Sequence, residues 1–301
     1  MSPYFSDREN GSRPRTEEEI KEAVWRGIRS LIQSRVEDGS FGQRFPEVCS
    51  DDSAIYGTNE GSFFDMVNAI VPAVVDPDFR EVGLTRLCQE SLPSTLGILD
   101  LIEFCFNHVA QPQQQHYHSF FRHWHLGFDQ SAGREQFRTE INEIFARNGL
   151  AYELSEDGEI ERLAPSELRE ELSQAVFNTG DTALDQLLET ARRKYLSPDE
   201  AERRIALEKL WDAFERIKTL EDADKRRGAS LILDKAAPSS PKLRQALERQ
   251  VKEMTGLGNE LMIRHHETNK EVIAASQQLD YLFGCMFSLV RLLLRMSGRR
   301  G

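Results

Sequence analysis

The stretch Gly258-Asn259-Glu260-Leu261-Met262-Ile263-Arg264-His265-His266-Glu267 separates two helix-forming segments. Its reading decides the second half of the chain. On its N-terminal side, residues 241–255 carry Leu243, Leu247, Val251 and Met254 at helical spacing. Gly256 and Gly258 predict an interruption there, because either can supply a positive φ or a C-cap. On its C-terminal side, 272–296 is the most apolar run of the chain, with Ile273, Leu279, Leu282, Met286, Leu289, Val290, Leu293 and Met296 in helical register. Two histidines, an arginine, an asparagine and a glutamate therefore gather at a helix–helix junction. Residue chemistry leaves two readings open. One is a solvated turn whose cations favour a helix C-terminus. The other is a site whose polar groups converge because a buried helix fixes their backbones.

Working outward, Asp181 caps a helix over 181–194 that buries Leu184, Leu187, Leu188 and Ala191. Ser197-Pro198-Asp199-Glu200 is a helix start with Pro in the first turn and acids beside the N-terminus. The helix it opens presents Leu207, Leu210, Trp211, Phe214 and Ile217 to a core. With the two segments around the junction, four helices over 181–194, 199–220, 241–255 and 271–297 predict an all-α bundle. A short extra helix over 223–235 and a surface loop at 236–240 fill the gap. A linking helix runs through 166–180 and closes at Asn178-Thr179-Gly180.

The first half reads as a separate domain over 16–165, preceded by a polar N-terminus over 1–15. Thr16 and Glu19 suggest a capping box for a helix over 16–36, with Ile20, Val24, Ile28, Leu31 and Ile32 inward. Residues 45–61 read as loop, and a short helix follows over 63–71. Turn chemistry occupies 76–83. Ser94 caps a strongly apolar helix over 95–109, in which Asp100 and Glu103 are expected to face solvent. Four of the seven histidines, His116, His118, His123 and His125, stand as two His-x-His pairs within 116–128. In an extended strand each pair points one way and can chelate zinc. No cysteine or acid lies among them, and the aromatic interleaving argues for packing, so the expectation is no tightly bound metal. Residues 137–147 form a helix closed by Asn148-Gly149. Residues 151–163 then alternate around Asp157-Gly158, the one clear β-hairpin.

Composition bounds the function. The 301 residues carry a net charge of −12, with pI near 5.2 and a mean hydropathy of −0.52. That balance argues against broad electrostatic binding to nucleic acid. The local basic runs Arg192-Arg193-Lys194, Lys225-Arg226-Arg227 and Arg299-Arg300 read first as solvated helix faces. Cys49, Cys88, Cys105 and Cys285 stand far apart with no Cys-x-x-Cys pair, as expected of reduced thiols in a cytoplasmic protein. There is no apolar signal region at the N-terminus, and Arg291 and Arg295 interrupt the last helix, so no membrane span is expected. Gly-rich phosphate loops, Gly-x-Ser-x-Gly and His-Glu-x-x-His are all missing.

A helical bundle with an Asn, Arg and His cluster before its last helix resembles the HEPN fold (higher eukaryotes and prokaryotes nucleotide-binding). The helix, Asn-Gly turn and hairpin over 141–163, with the aromatic and histidine-rich run before them, resemble the N-terminal domain of bacterial abortive-infection proteins of the AbiJ type. The resemblance implies a mainly α chain: a helical N-terminal domain with one small β-hairpin, then a HEPN-like bundle over 181–301. It implies an anti-phage role as a module that senses or docks a protein or nucleotide, without cofactor. The alternative it implies is a metal-independent ribonuclease acting on RNA as a homodimer. There Arg264, His265 and His266, with Asn259 and Glu267, are the candidate catalytic residues. HEPN nucleases carry an Arg followed after four to six residues by a His; here the positions five to seven before His265 and His266, Gly258 to Leu261, hold no arginine, and Arg264 adjoins the histidines instead. The apolar width of 272–296, with Phe283, Phe287, Val290 and Leu294 beside the first stripe, suggests a second surface, either against the N-terminal domain or against another copy of this helix in a C2 dimer.

Overall fold

The computed structural model describes residues 4–11, 13–75, 87, 92–261, 263, 271 and 273–299. The chain divides into two compact units, 1–163 and 164–301. It is mainly helical, and its strands form two-stranded antiparallel sheets.

The first unit is built on α2 (Glu22–Glu37), α3 (Glu60–Ile70), α4 (Thr95–His108) and α5 (Gln130–Arg147), after a short α1 (Phe5–Asn10). Its core joins Ile28, Ile32, Phe41, Phe63, Ile102, Phe137 and Phe145, all at 0 % exposure. Helix α2 begins at Glu22, after the expected start at Thr16. The reason is competition for backbone groups. The amides of Thr16 and Glu17 both donate to Gly149 O, and Ile20 N donates to Thr95 Oγ1. Residues 16–21 thereby run as a strap across the end of the unit. Tyr152 donates to Glu18 O at 2.6 Å, and Arg162, 3 % exposed, donates through Nε and Nη2 to Glu18 Oε1. Helix α4 keeps the predicted Ser94 cap, whose hydroxyl accepts from Gly97 N. Glu103 does not face solvent freely: it accepts from Ile160 N, and partial burial raises its pKa above the usual carboxylate value.

The sequence predicts one clear hairpin; among the described residues three two-stranded sheets form. β5 (Tyr152–Leu154) and β6 (Ile160–Arg162) are the predicted pair, turning at Gly158 with φ +88°. β1 (Pro46–Val48) and β2 (Ile55–Thr58) occupy the stretch read as loop, and β3 (Gln111–His118) and β4 (His123–Asp129) hold the histidines. The alternation signal is weak in β1 because all of its residues are exposed. In β3 the ladder carries a bulge between Gln114 and His116.

The second unit comprises α6 (Ser166–Ser173), α7 (Thr182–Tyr195), α8 (Glu200–Ile217), α9 (Lys225–Ala236), α10 (Pro241–Glu260) and α11 (Ser276–Met296). Asp181, Asp199, Asp224 and Ser240 cap α7 to α10 through side-chain oxygens. The apolar stripes of α7, α8, α9 and α11 meet in one core. Tyr195 stacks on Phe283 at 3.8 Å. The basic runs are largely neutralised locally: Arg192 pairs with Glu189, Lys194 with Glu202, Lys225 with Glu215, Arg227 with Asp222, and Arg299 with Glu221.

Two expectations for this unit change. Helix α10 is not broken at Gly256 and Gly258 but continues to Glu260. Gly258 is a packing residue: a Cβ there would stand 2.3 Å from Trp211 Nε1, which donates to Met254 O at 2.9 Å. Gly256 has open space around it. Gly258→Ala is therefore expected to cost about 1–3 kcal/mol through overpacking, despite the better helix propensity of alanine. Gly256→Ala should instead stabilise by up to about 1 kcal/mol. Thermal unfolding of the two variants side by side checks the sign of each, and equal shifts would contradict the packing role of Gly258. The second change concerns α11. Phe283, Phe287, Val290 and Leu294 are all at or below 1 % exposure, covered by the unit's own helices. The face that suggested a dimer surface is core.

Candidate functional site

The histidine run becomes a side-chain cluster because of how β3 and β4 pair. His118 stands opposite His123, and His116 opposite His125, across the hairpin. The bulge at Gln115 shifts the register so that Leu126 faces Gln114 while His125 faces His116. The turn 119–122 is closed by Arg122 at φ +56°. His123 and His125, two apart on one strand, share a face with His118.

A fourth group comes from β1–β2. Cys49 follows β1, its amide donating to Ala54 O and its carbonyl accepting from Ser53 N. This tight turn is held by Ala54 N donating to Asp52 Oδ1 and by Ser53 at φ +61°. Cys49 is 2 % exposed, and its Sγ lies 3.4 Å from His118 Nδ1. One donor atom from each of Cys49, His118, His123 and His125 lies within 4.8 Å of all the others. Two more residues of the same turn stand behind the rings: Asp51 Oδ2 is 3.5 Å from His118 Nε2, and Asp52 Oδ2 is 3.4 Å from His125 Nδ1. The Ala54 amide first, with a lesser contribution from the His125 ring, holds the Asp52 carboxyl below the ordinary carboxylate value against the opposing effect of desolvation. The buried Nε2 atoms of His123 and His125 have no hydrogen-bond partner.

Aromatic side chains fix the ring planes. Tyr56 stacks on His123 at 4.2 Å and 9°, and Phe121 lies parallel to it at 5.9 Å. A hydrogen bond with Glu47, helped by desolvation, pushes the Tyr56 hydroxyl up to about 12, so it stays protonated. Outside the cluster, Tyr117 and Trp124 pack on each other at 5.1 Å and stay part-exposed.

Sequence reasoning named the histidines but set a metal aside for want of a cysteine or acid among them. The missing residue types come from a segment read as loop, 69 residues before His118. The signal was present as Cys49-Ser50-Asp51-Asp52, yet nothing local ties it to the histidines.

Of the residues predicted at the second-unit junction, Asn259 is exposed in the last turn of α10. Arg264, His265, His266 and Glu267 lie outside the described residues. Around the junction, Leu261 bridges Glu271, Ile263 is buried, and Arg204 donates to Ile273 O at 2.6 Å. A cavity of about 360 Å³ opens beside it, lined by Leu261, Glu271, Ile273, Gln277, Tyr281 and Leu282. Beneath α11, Tyr195 donates to Asp280 and Arg203 to Ser276. Among the described residues no helix is long and apolar enough to cross a membrane.

Comparison with family models matches residues 3–178 to the one described as AbiJ N-terminal domain 4. Comparison with curated proteins and with solved structures returned no match.

Proposed function

Because the chain belongs to the AbiJ N-terminal domain 4 family through residues 3–178, we propose that it is a cytoplasmic abortive-infection protein whose second, HEPN-like unit senses or docks a partner in phage defence. The family supports the defence role. The cavity beside the α10–α11 junction carries the binding reading: its volume falls in the range of ligand sites, and apolar Leu261, Ile273 and Leu282 line it beside polar Gln277 and Glu271. The net charge of −12 and the locally paired basic runs favour a protein or small-molecule partner over a long RNA.

The ribonuclease reading rests on Arg264, His265 and His266, with Asn259 to orient phosphate and Glu267 beside them. Imidazole suits general acid–base work near neutral pH, and a guanidinium suits a phosphorane. Its shared cleft needs two copies brought together, and the α11 face that suggested this is buried within one chain. Purified protein should leave RNA intact in magnesium-free buffer, with and without EDTA. A chain carrying Arg264→Ala and His265→Ala should protect cells from phage as the parent does. Metal-independent cleavage that this double variant abolishes would establish the nuclease instead.

A further inference from the structure

We propose that Cys49, His118, His123 and His125 form a structural zinc site that clamps the β1–β2 turn to the β3–β4 hairpin. The donor set is one thiolate and three imidazoles, the borderline-soft combination that suits Zn²⁺ and excludes Mg²⁺ or Ca²⁺ as resident ion. A tetrahedral zinc with ordinary bond lengths sets donor–donor edges of about 3.3–3.6 Å. The Cys49 Sγ to His118 Nδ1 separation of 3.4 Å already meets this. The remaining edges, all within 4.8 Å, need to close by at most about 1.5 Å, a shift within reach of small side-chain rotations.

The polar contacts of His118 and His125, and the buried Nε2 of His123, point to the donor atom on each ring. His118 turns Nε2 towards Asp51 and Nδ1 towards the sulfur; His125 turns Nδ1 towards Asp52 and leaves Nε2 inward. A carboxylate behind a ligating imidazole fixes its tautomer and strengthens its basicity, the usual outer partner of a zinc histidine. The inward Nε2 atoms of His123 and His125 are buried and unpartnered, which a packing cluster would leave as uncompensated polar groups. A metal ion satisfies both at once. Four protein ligands leave no open position, so the ion is a cross-link and not a hydrolytic centre. It joins segments far apart in sequence, where closing a long loop restrains the unfolded chain most.

The site stands independently of the defence reading, and its test uses no defence or RNA readout. Full-length protein purified without chelator, or stripped and reloaded with zinc, should hold about one zinc per chain by elemental analysis. Cobalt in its place should give the intense visible bands of a tetrahedral ion and one thiolate charge-transfer band. Cys49→Ser should remove that band, and His123→Ala should lower zinc to background, while Cys285→Ser keeps both. Chelator should lower the wild-type melting temperature and free Cys49 for alkylation. Wild-type protein that takes up neither zinc nor cobalt would overturn the site, as would stoichiometric zinc retained by both Cys49→Ser and His123→Ala. The wild-type metal spectrum decides the matter even if a variant fails to fold.

Discussion

Leu294→Asp is expected to unfold the 164–301 unit rather than to separate a dimer. Leu294 is 0 % exposed and Phe287 1 %, both inside the core shared by α7, α8, α9 and α11. Deleting such a side chain costs about 3–5 kcal/mol, and a carboxylate left there adds the cost of an unpaired buried charge. The sum rivals the whole stability of a domain, about 5–15 kcal/mol. Phe287→Asp should be the milder of the two, because the Arg291 guanidinium lies 5.7 Å from that ring. Circular dichroism and limited proteolysis should show the second unit losing its cooperative transition and being digested. A variant that melts like the parent but sediments at half its mass would make this face an interface after all.

The second large effect is expected at the strap of the first unit. Glu18→Ala leaves Arg162 buried at 3 % exposure without the carboxylate that receives its Nε and Nη2. Arg162 is buried but Glu18 is 29 % exposed, so the loss is expected at about 1–3 kcal/mol, which in a unit of this size lowers the melting temperature by on the order of 5 °C. The test lies in the double variant. Glu18→Ala with Arg162→Met removes the guanidinium as well, so it should recover part of the loss. If the double variant is no better than Glu18→Ala, the pair matters through packing and not through charge. The same measurement reports on residues 16–21. Thr16 and Glu17 spend their amides on Gly149 O instead of opening a helix, and that choice depends on Glu18 and Tyr152 holding the strap in place.

The sequence by itself determined the elements whose signals lie within a turn or two of chain. Ser94 and Asp181 cap the helices they were read to cap, and Asn148-Gly149 closes α5 with Gly149 at φ +69°. Asp157-Gly158 turns the hairpin between Tyr152–Leu154 and Ile160–Arg162. Capping and turn geometry are contests among neighbouring backbone groups, so neighbouring residues decide them. Tertiary structure alone decided the rest. Thr16 and Glu19 make a sound capping box on paper, but Gly149 O, far away in sequence, takes the amides. Gly258 looks like a stop until Trp211 is laid against it. The wide apolar surface of α11 reads the same whether its cover is a second chain or the other helices of its own unit. At the histidines, the bulge at Gln115 and the β1–β2 turn bring Cys49, Asp51 and Asp52 to His118, His123 and His125. A ligand set is a matter of distances in space: the His-x-His spacing marks the two histidine pairs, but nothing along the chain ties Cys49 to them.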